Sequence, residues 1–125
     1  MEQTNKIFII EDEKFLREML EDKFKAEKFN TDSVTTGKEA LVYLEKEKPA
    51  LIILDLLLPD VNGFEILAKI RGEEKTKDIP VIVLTNYDQK EDIERCKKLG
   101  IFGFMVKTSF SLNEIIAEAR KALSA

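Results

Sequence analysis

Short apolar runs alternate with amphipathic stretches of helical spacing along the whole of this chain, and that alternation limits its fold more than any other feature. Residues 6–10 form a β-branched and aromatic run. From about Glu13, the apolar residues Phe15, Leu16, Met19, Leu20 and Phe24 recur at helical spacing, so a strand leads into a helix that buries this set. Residues 30–34 predict a weaker strand, after which Thr36 has the side chain of a helix cap and Ala40, Leu41 and Leu44 face inward. Residues 50–54 are apolar without alternation, as in a central parallel strand covered on both faces. A helix carrying Phe64, Ile66, Leu67 and Ile70 follows. Residues 80–84 repeat the continuous apolar character, Asp88-Gln89-Lys90-Glu91 has the spacing of a capping box, and Gly100 is placed to end the helix that box opens. A last strand over 102–106 precedes Ser111 and Glu114, again at capping-box spacing, and then Ile115, Ile116, Ala119, Ala122 and Leu123. Strict alternation of strand and helix implies a parallel sheet with helices on both faces, joined by right-handed crossovers. The expected fold is a doubly wound α/β sandwich.

A length of 125 residues suits one domain with a single continuous core. No stretch approaches the roughly 18 uninterrupted apolar residues of a membrane span. The polar start of the chain runs into an apolar segment too short for a signal peptide, so a cytoplasmic location is expected. Cys96 is the only cysteine, which rules out an internal disulfide, and its place in a helical pattern predicts a packed thiol. Lysines are scattered among acids at a net charge of −4, with no basic stripe, so direct binding to nucleic acid is not expected.

In sheets of this kind ligands bind beyond the carboxyl ends of the strands, so the residues that follow each apolar run carry the chemistry. These are Glu11, Asp12 and Glu13 after the first run, Asp55 after the third, Thr85 after the fourth and Lys107 after the fifth. Glu13 is set aside as a favourable acid in a first helical turn. The others converge at one end of a parallel sheet. Crowded carboxylates disfavour their own ionisation unless a cation compensates, and hard oxygen ligands suit Mg²⁺ or Mn²⁺. Magnesium commonly uses one or two protein carboxylates together with phosphate oxygens, which describes a phosphoryl site. Asp55 is then the nucleophile that forms an acyl phosphate, with Lys107 and Thr85 set against the charge of the phosphoryl oxygens. Any one of these residues alone is an ordinary cap or strand end; their conjunction carries the reading.

These residues also resemble the response-regulator receiver family over essentially the whole chain. Ile9-Ile10-Glu11-Asp12-Glu13 resembles its acidic pair, Asp55 to Gly63 its phosphorylation loop, Val83-Leu84-Thr85 its switch hydroxyl and Val106-Lys107 its lysine. The resemblance implies a flavodoxin-like sheet of strand order 2-1-3-4-5 and a receiver domain over residues 1–125. Since residue 125 follows directly on the fifth helix, no output domain is expected within these residues. It implies that Asp12, Asp55 and the Leu57 backbone carbonyl ligate the metal directly and that Glu11 acts largely through water. Phe104 takes the place of the switch aromatic. The implied phosphoryl donors are a histidine kinase, a phosphotransfer protein or small acyl phosphates. The implied output is a protein, an output domain or a second copy of the chain at the face of the fourth helix, fifth strand and fifth helix. On that face Ile101 is expected to pack inward and Phe102 to be available to a partner.

Glu11 stands where the family most often has Asp, Asn86 follows the switch hydroxyl where a small residue is usual, and Thr108 replaces the proline after the lysine. Two other readings stay open at this point. One is a metal-dependent phosphatase or phosphotransferase with an aspartyl-phosphate intermediate, against which residue 57 is Leu and offers no second acid. The other is a receiver that has kept only a docking role.

Overall fold

The β-branched runs pair as expected. The computed structural model describes residues 6–125, and within them a single five-stranded parallel sheet runs in the order β2-β1-β3-β4-β5. The strands are β1 (Lys6–Ile10), β2 (Asn30–Val34), β3 (Leu51–Leu54), β4 (Val81–Thr85) and β5 (Gly103–Val106). The helices are α1 (Lys14–Ala26), α2 (Gly37–Lys46), α3 (Gly63–Gly72), α4 (Lys90–Leu99) and α5 (Leu112–Ser124), with a 3₁₀ turn at Lys107–Ser109. Residues 1–5 of the expected domain lie outside the described residues.

Side chains of a strand point alternately to the two faces, so each central strand feeds two cores. Phe8, Ile10, Ile52, Leu54, Val81 and Val83 pack with Ala40, Leu44, Phe64, Leu67 and Ile70 beneath α2, α3 and α4. Their neighbours Ile7, Ile9, Leu51, Ile53, Ile82 and Leu84 pack with Leu20, Phe24, Ile115, Ile116 and Ala119 beneath α1 and α5. The continuous apolar character of β3 and β4 is explained by this: both faces are covered. Cys96 is fully buried in the first core, and burial, then the charge of Asp92, pushes its thiol up to about 11.

Two local expectations fail. Helical spacing sets Phe15 inward, but it lies in the first turn of α1 and is 76% exposed, while the buried stripe of the helix is Leu20 and Phe24. The capping box at 88–91 does not form. Since α4 starts at Lys90, Gln89 is its N-cap and makes no side-chain cap bond, and Asp88 lies one residue outside. The Gln89 carbonyl instead accepts from the N–H groups of Asp92 and Ile93, at 3.0 and 3.1 Å. The other caps form: Thr36 Oγ1 accepts from Glu39 N–H at 3.1 Å, and Ser111 and Glu114 make the reciprocal capping box.

Candidate functional site

Strand register brings the site together. Ile10 pairs with Leu54 across β1 and β3, so Glu11 and Asp55 leave adjacent strands side by side. The Asp55 N–H donates to the Ile10 carbonyl at 3.0 Å, extending that pairing by one residue. On the other side, Leu54 pairs with Val83 and Thr85 with Val106, which delivers Thr85 and Lys107 to the same end of the sheet.

Glu11, Asp12 and Asp55 each present a carboxylate oxygen within 4.8 Å of the others. Glu11 and Asp55 are both 2% exposed, while Asp12 is open to solvent. Lys107 joins the two buried acids: its Nζ donates to Asp55 Oδ2 at 2.8 Å and lies 3.0 Å from Glu11 Oε1. Burial, then the charge of Asp55, raises the Glu11 carboxyl to about 7, against the opposing pull of the Glu13 N–H and of Lys107. Burial alone would lower the Lys107 ammonium, but its hydrogen bonds and charge pairing with Asp55 and Glu11 raise it above its ordinary value. Lys107 thus pairs with the two buried acids beside the third, exposed one, which leaves negative charge for a divalent ion to neutralise. The donor set is all oxygen and suits Mg²⁺ or Mn²⁺.

Thr85 is fully buried and its Oγ1 accepts from Tyr87 N–H at 3.4 Å. Leu57 is half-exposed, and its N–H donates to Asp55 Oδ1 at 3.0 Å, which orients that carboxylate. Phe104 lies opposite Val83 on β5 and is partly buried against the core beneath α2, α3 and α4, as are Ile101 and Leu99. Phe102, by contrast, is 38% exposed. Thr108 follows Lys107 through a trans peptide, since no peptide bond among the described residues is cis.

Three contacts lie outside what the sequence pattern indicates. Glu13, set aside above, donates its N–H to Glu11 Oε2 at 3.0 Å. Arg17 Nη1 donates to the Glu11 carbonyl at 3.2 Å. Asp60 accepts from the Gly37 and Lys38 N–H groups. The position of Arg17 one turn into α1 is a signal that could have found it; nothing in the sequence points Asp60 at residues so far upstream.

The family model described as "Response regulator receiver domain" matches residues 7–120. The chain is 34% identical over 118 residues to the phosphate regulon transcriptional regulatory protein PhoB of Rhizobium meliloti (strain 1021), covering 94% of this chain and 52% of that protein. It spans about half the length of the transcriptional regulators it matches. It is 32% identical to the sporulation initiation phosphotransferase F of Bacillus subtilis (strain 168), covering 96% of this chain and 94% of that one. Among solved structures, a phosphorylated cyanobacterial phytochrome response regulator, RcpA, superposes with a TM-score of 0.81 at 28% identity, covering 98% of this chain and 91% of that chain.

Proposed function

Because this chain belongs to the response-regulator receiver family of two-component signalling, we propose that Asp55 accepts a phosphoryl group and that the domain acts as a switch set by it. The observation that carries this reading is the Lys107 ammonium bridging Asp55 and Glu11, at 2.8 and 3.0 Å, within a cluster of three carboxylates at the carboxyl edge of the sheet. Receiver domains as a family bind Mg²⁺, and here Asp12, Asp55 and the Leu57 carbonyl would hold it, with Glu11 acting largely through water. When bound, the ion supplies positive charge against the phosphoryl oxygens.

The chain's own residues do the rest. The Leu57 N–H holds Asp55 Oδ1, and the other carboxylate oxygen attacks phosphorus. With a phosphohistidine donor, the O–P bond forms as the N–P bond breaks and its electron pair leaves with the imidazole nitrogen. Lys107, already against Asp55 Oδ2, is placed to follow the negative charge onto the phosphoryl oxygens. The Thr85 hydroxyl would turn toward the new group, and Phe104, which pairs with Val83 two residues before Thr85, would repack with it. The output face is that of α4, β5 and α5, where exposed Phe102 favours a protein partner, an output domain or a second copy. The donors are a histidine kinase or a phosphotransfer protein. This is a domain that modifies itself rather than a turnover enzyme, read over residues 1–125 and placed in the cytoplasm. Among the described residues no helix is long and apolar enough to cross a membrane.

The test is to locate the phosphoryl group. After treatment with acetyl phosphate and Mg²⁺, borohydride converts an aspartyl phosphate to homoserine, and peptide mass mapping is expected to find homoserine at position 55. Labelling confined to any other residue overturns the assignment.

A further inference from the structure

The segment from Asp55 to Gly63 is closed on itself and then fastened to a helix that carries none of the acidic cluster. Leu57 N–H holds Asp55 Oδ1, Leu57 and Asn62 form an antiparallel bridge, and Gly63 N–H donates to the Leu56 carbonyl at 3.0 Å. Asp60, at the far turn, reaches out of this loop. Its Oδ1 accepts from Gly37 N–H at 2.8 Å and its Oδ2 from Lys38 N–H at 3.0 Å, 23 and 22 residues earlier in the chain.

These two amides are among the first-turn donors that a helix cannot satisfy itself. The third, Glu39 N–H, goes to Thr36 Oγ1 at 3.1 Å. The first turn of α2 is thus held partly by its own cap and partly by the loop that follows β3. Packing reinforces the join: a Cβ built on Gly37 would lie 2.0 Å from Val61 Cγ2, so the helix start and the loop approach through the space a side chain would fill.

We infer that Asp60 is a positioning residue that ties the first turn of α2 to the loop carrying Asp55 and Leu57, so that loading of the acidic cluster and the order of that turn are coupled. The inference rests on the reading of the cluster as a cation and phosphoryl site. Coupling of this kind is reciprocal: what tightens the loop tightens the helix start, and loss of the helix contact weakens binding in the loop. A residue that served only as a helix cap would fray α2 on removal and leave the cluster's affinity unchanged.

The experiment is a ¹⁵N NMR titration of the full chain with Mg²⁺ alone, on the parent, Asp60→Ala and Asp60→Asn. In the parent the Gly37 and Lys38 amides are expected to shift with the same apparent affinity as the Leu57 amide. In Asp60→Ala, Mg²⁺ binding should weaken about 5-fold or more, with Gly37 and Lys38 no longer following the titration. Asp60→Asn keeps one of the two acceptors and should fall between, which also gives a result if the alanine variant fails to fold. Parent-like affinity in both variants overturns the inference, as does a parent in which Leu57 shifts while Gly37 and Lys38 stay silent. A parent that binds no Mg²⁺ overturns the cation reading and this inference together. Coupled shifts in a parent that acetyl phosphate never labels would uphold the coupling and overturn only the phospho-acceptor role.

Discussion

The Lys107 ammonium donates to Asp55 Oδ2 at 2.8 Å across 52 residues of sequence, and so joins the end of the edge strand β5 to the end of the central strand β3. The same nitrogen contacts Glu11, so one side chain compensates two acids that would otherwise be buried together. Replacing it with Met keeps the length of the stem and removes the donor. Lys107→Met is expected to slow labelling of Asp55 by acetyl phosphate by about 10²-fold at saturating Mg²⁺, the scale of losing one donor aimed at developing oxyanion charge. A labelling time course with far-ultraviolet circular dichroism as the fold control checks this; an unchanged rate would remove Lys107 from the chemistry.

Gly63 opens α3 directly against the backbone that follows Asp55. A Cβ there would lie 2.4 Å from Leu56 Cα and 2.8 Å from its carbonyl oxygen, and backbone cannot rotate away. Gly63→Ala is therefore expected to destabilise by about 1–3 kcal/mol. Gly72, at the other end of α3, has nothing within 4 Å of the corresponding position. Gly72→Ala is expected to be neutral or stabilising by up to about 1 kcal/mol. Urea unfolding of the pair measures the difference in sign.

Asp32 lies on β2, where Lys6 Nζ and the Tyr43 hydroxyl both donate to its Oδ2, at 2.9 and 2.7 Å. Burial would raise its carboxyl, but these hydrogen bonds, with the charges of Lys6 and Lys25, more than reverse that and hold it below its ordinary 3.8. A carboxyl depressed in the folded state stabilises the fold above its unfolded value, and that stability is lost as pH falls through the folded one. Urea midpoints of the parent should thus drop more steeply below about pH 4 than those of Asp32→Asn, and the two should run parallel from about pH 5 to pH 7. Parallel curves throughout would remove Asp32 from the acid sensitivity.

Phe15 is 76% exposed whereas Leu20, about one turn and a half further along α1, is 1% exposed. Phe15→Ser should change stability by less than about 0.5 kcal/mol. Leu20→Ala should cost about 2–5 kcal/mol. Chemical unfolding of both variants decides whether the first turn of α1 contributes to the core.

Phe15 also marks where the sequence stops being informative. Helical spacing puts it in line with Leu16, Met19 and Leu20, but which part of an apolar stripe is covered depends on where the helix leaves its partner sheet. The Ile, Leu and Val runs of β3 and β4 need no such knowledge, because a strand without alternation has both faces buried. Legible too are Glu11, Asp55, Thr85 and Lys107 as strand-end residues of one parallel sheet, since parallel pairing fixes which ends meet. The register that sets Lys107 between two acids is not legible. Nor is Asp60 at the start of α2, where the hydrogen-bond partner is chosen by the path of a loop and leaves no periodic trace. The failed cap at Asp88 has the same origin: a one-residue shift in the start of α4 changes which side chain faces its open amides.

The most direct measurement is intact mass after incubation with acetyl phosphate and Mg²⁺, on the parent and on Asp55→Asn in parallel, with and without chelator. If Asp55 is the phospho-acceptor, the parent gains one phosphoryl group, the gain is lost on chelation, and the variant shows none. No gain in the parent with any divalent ion or with a phosphorylated histidine donor would contradict that role.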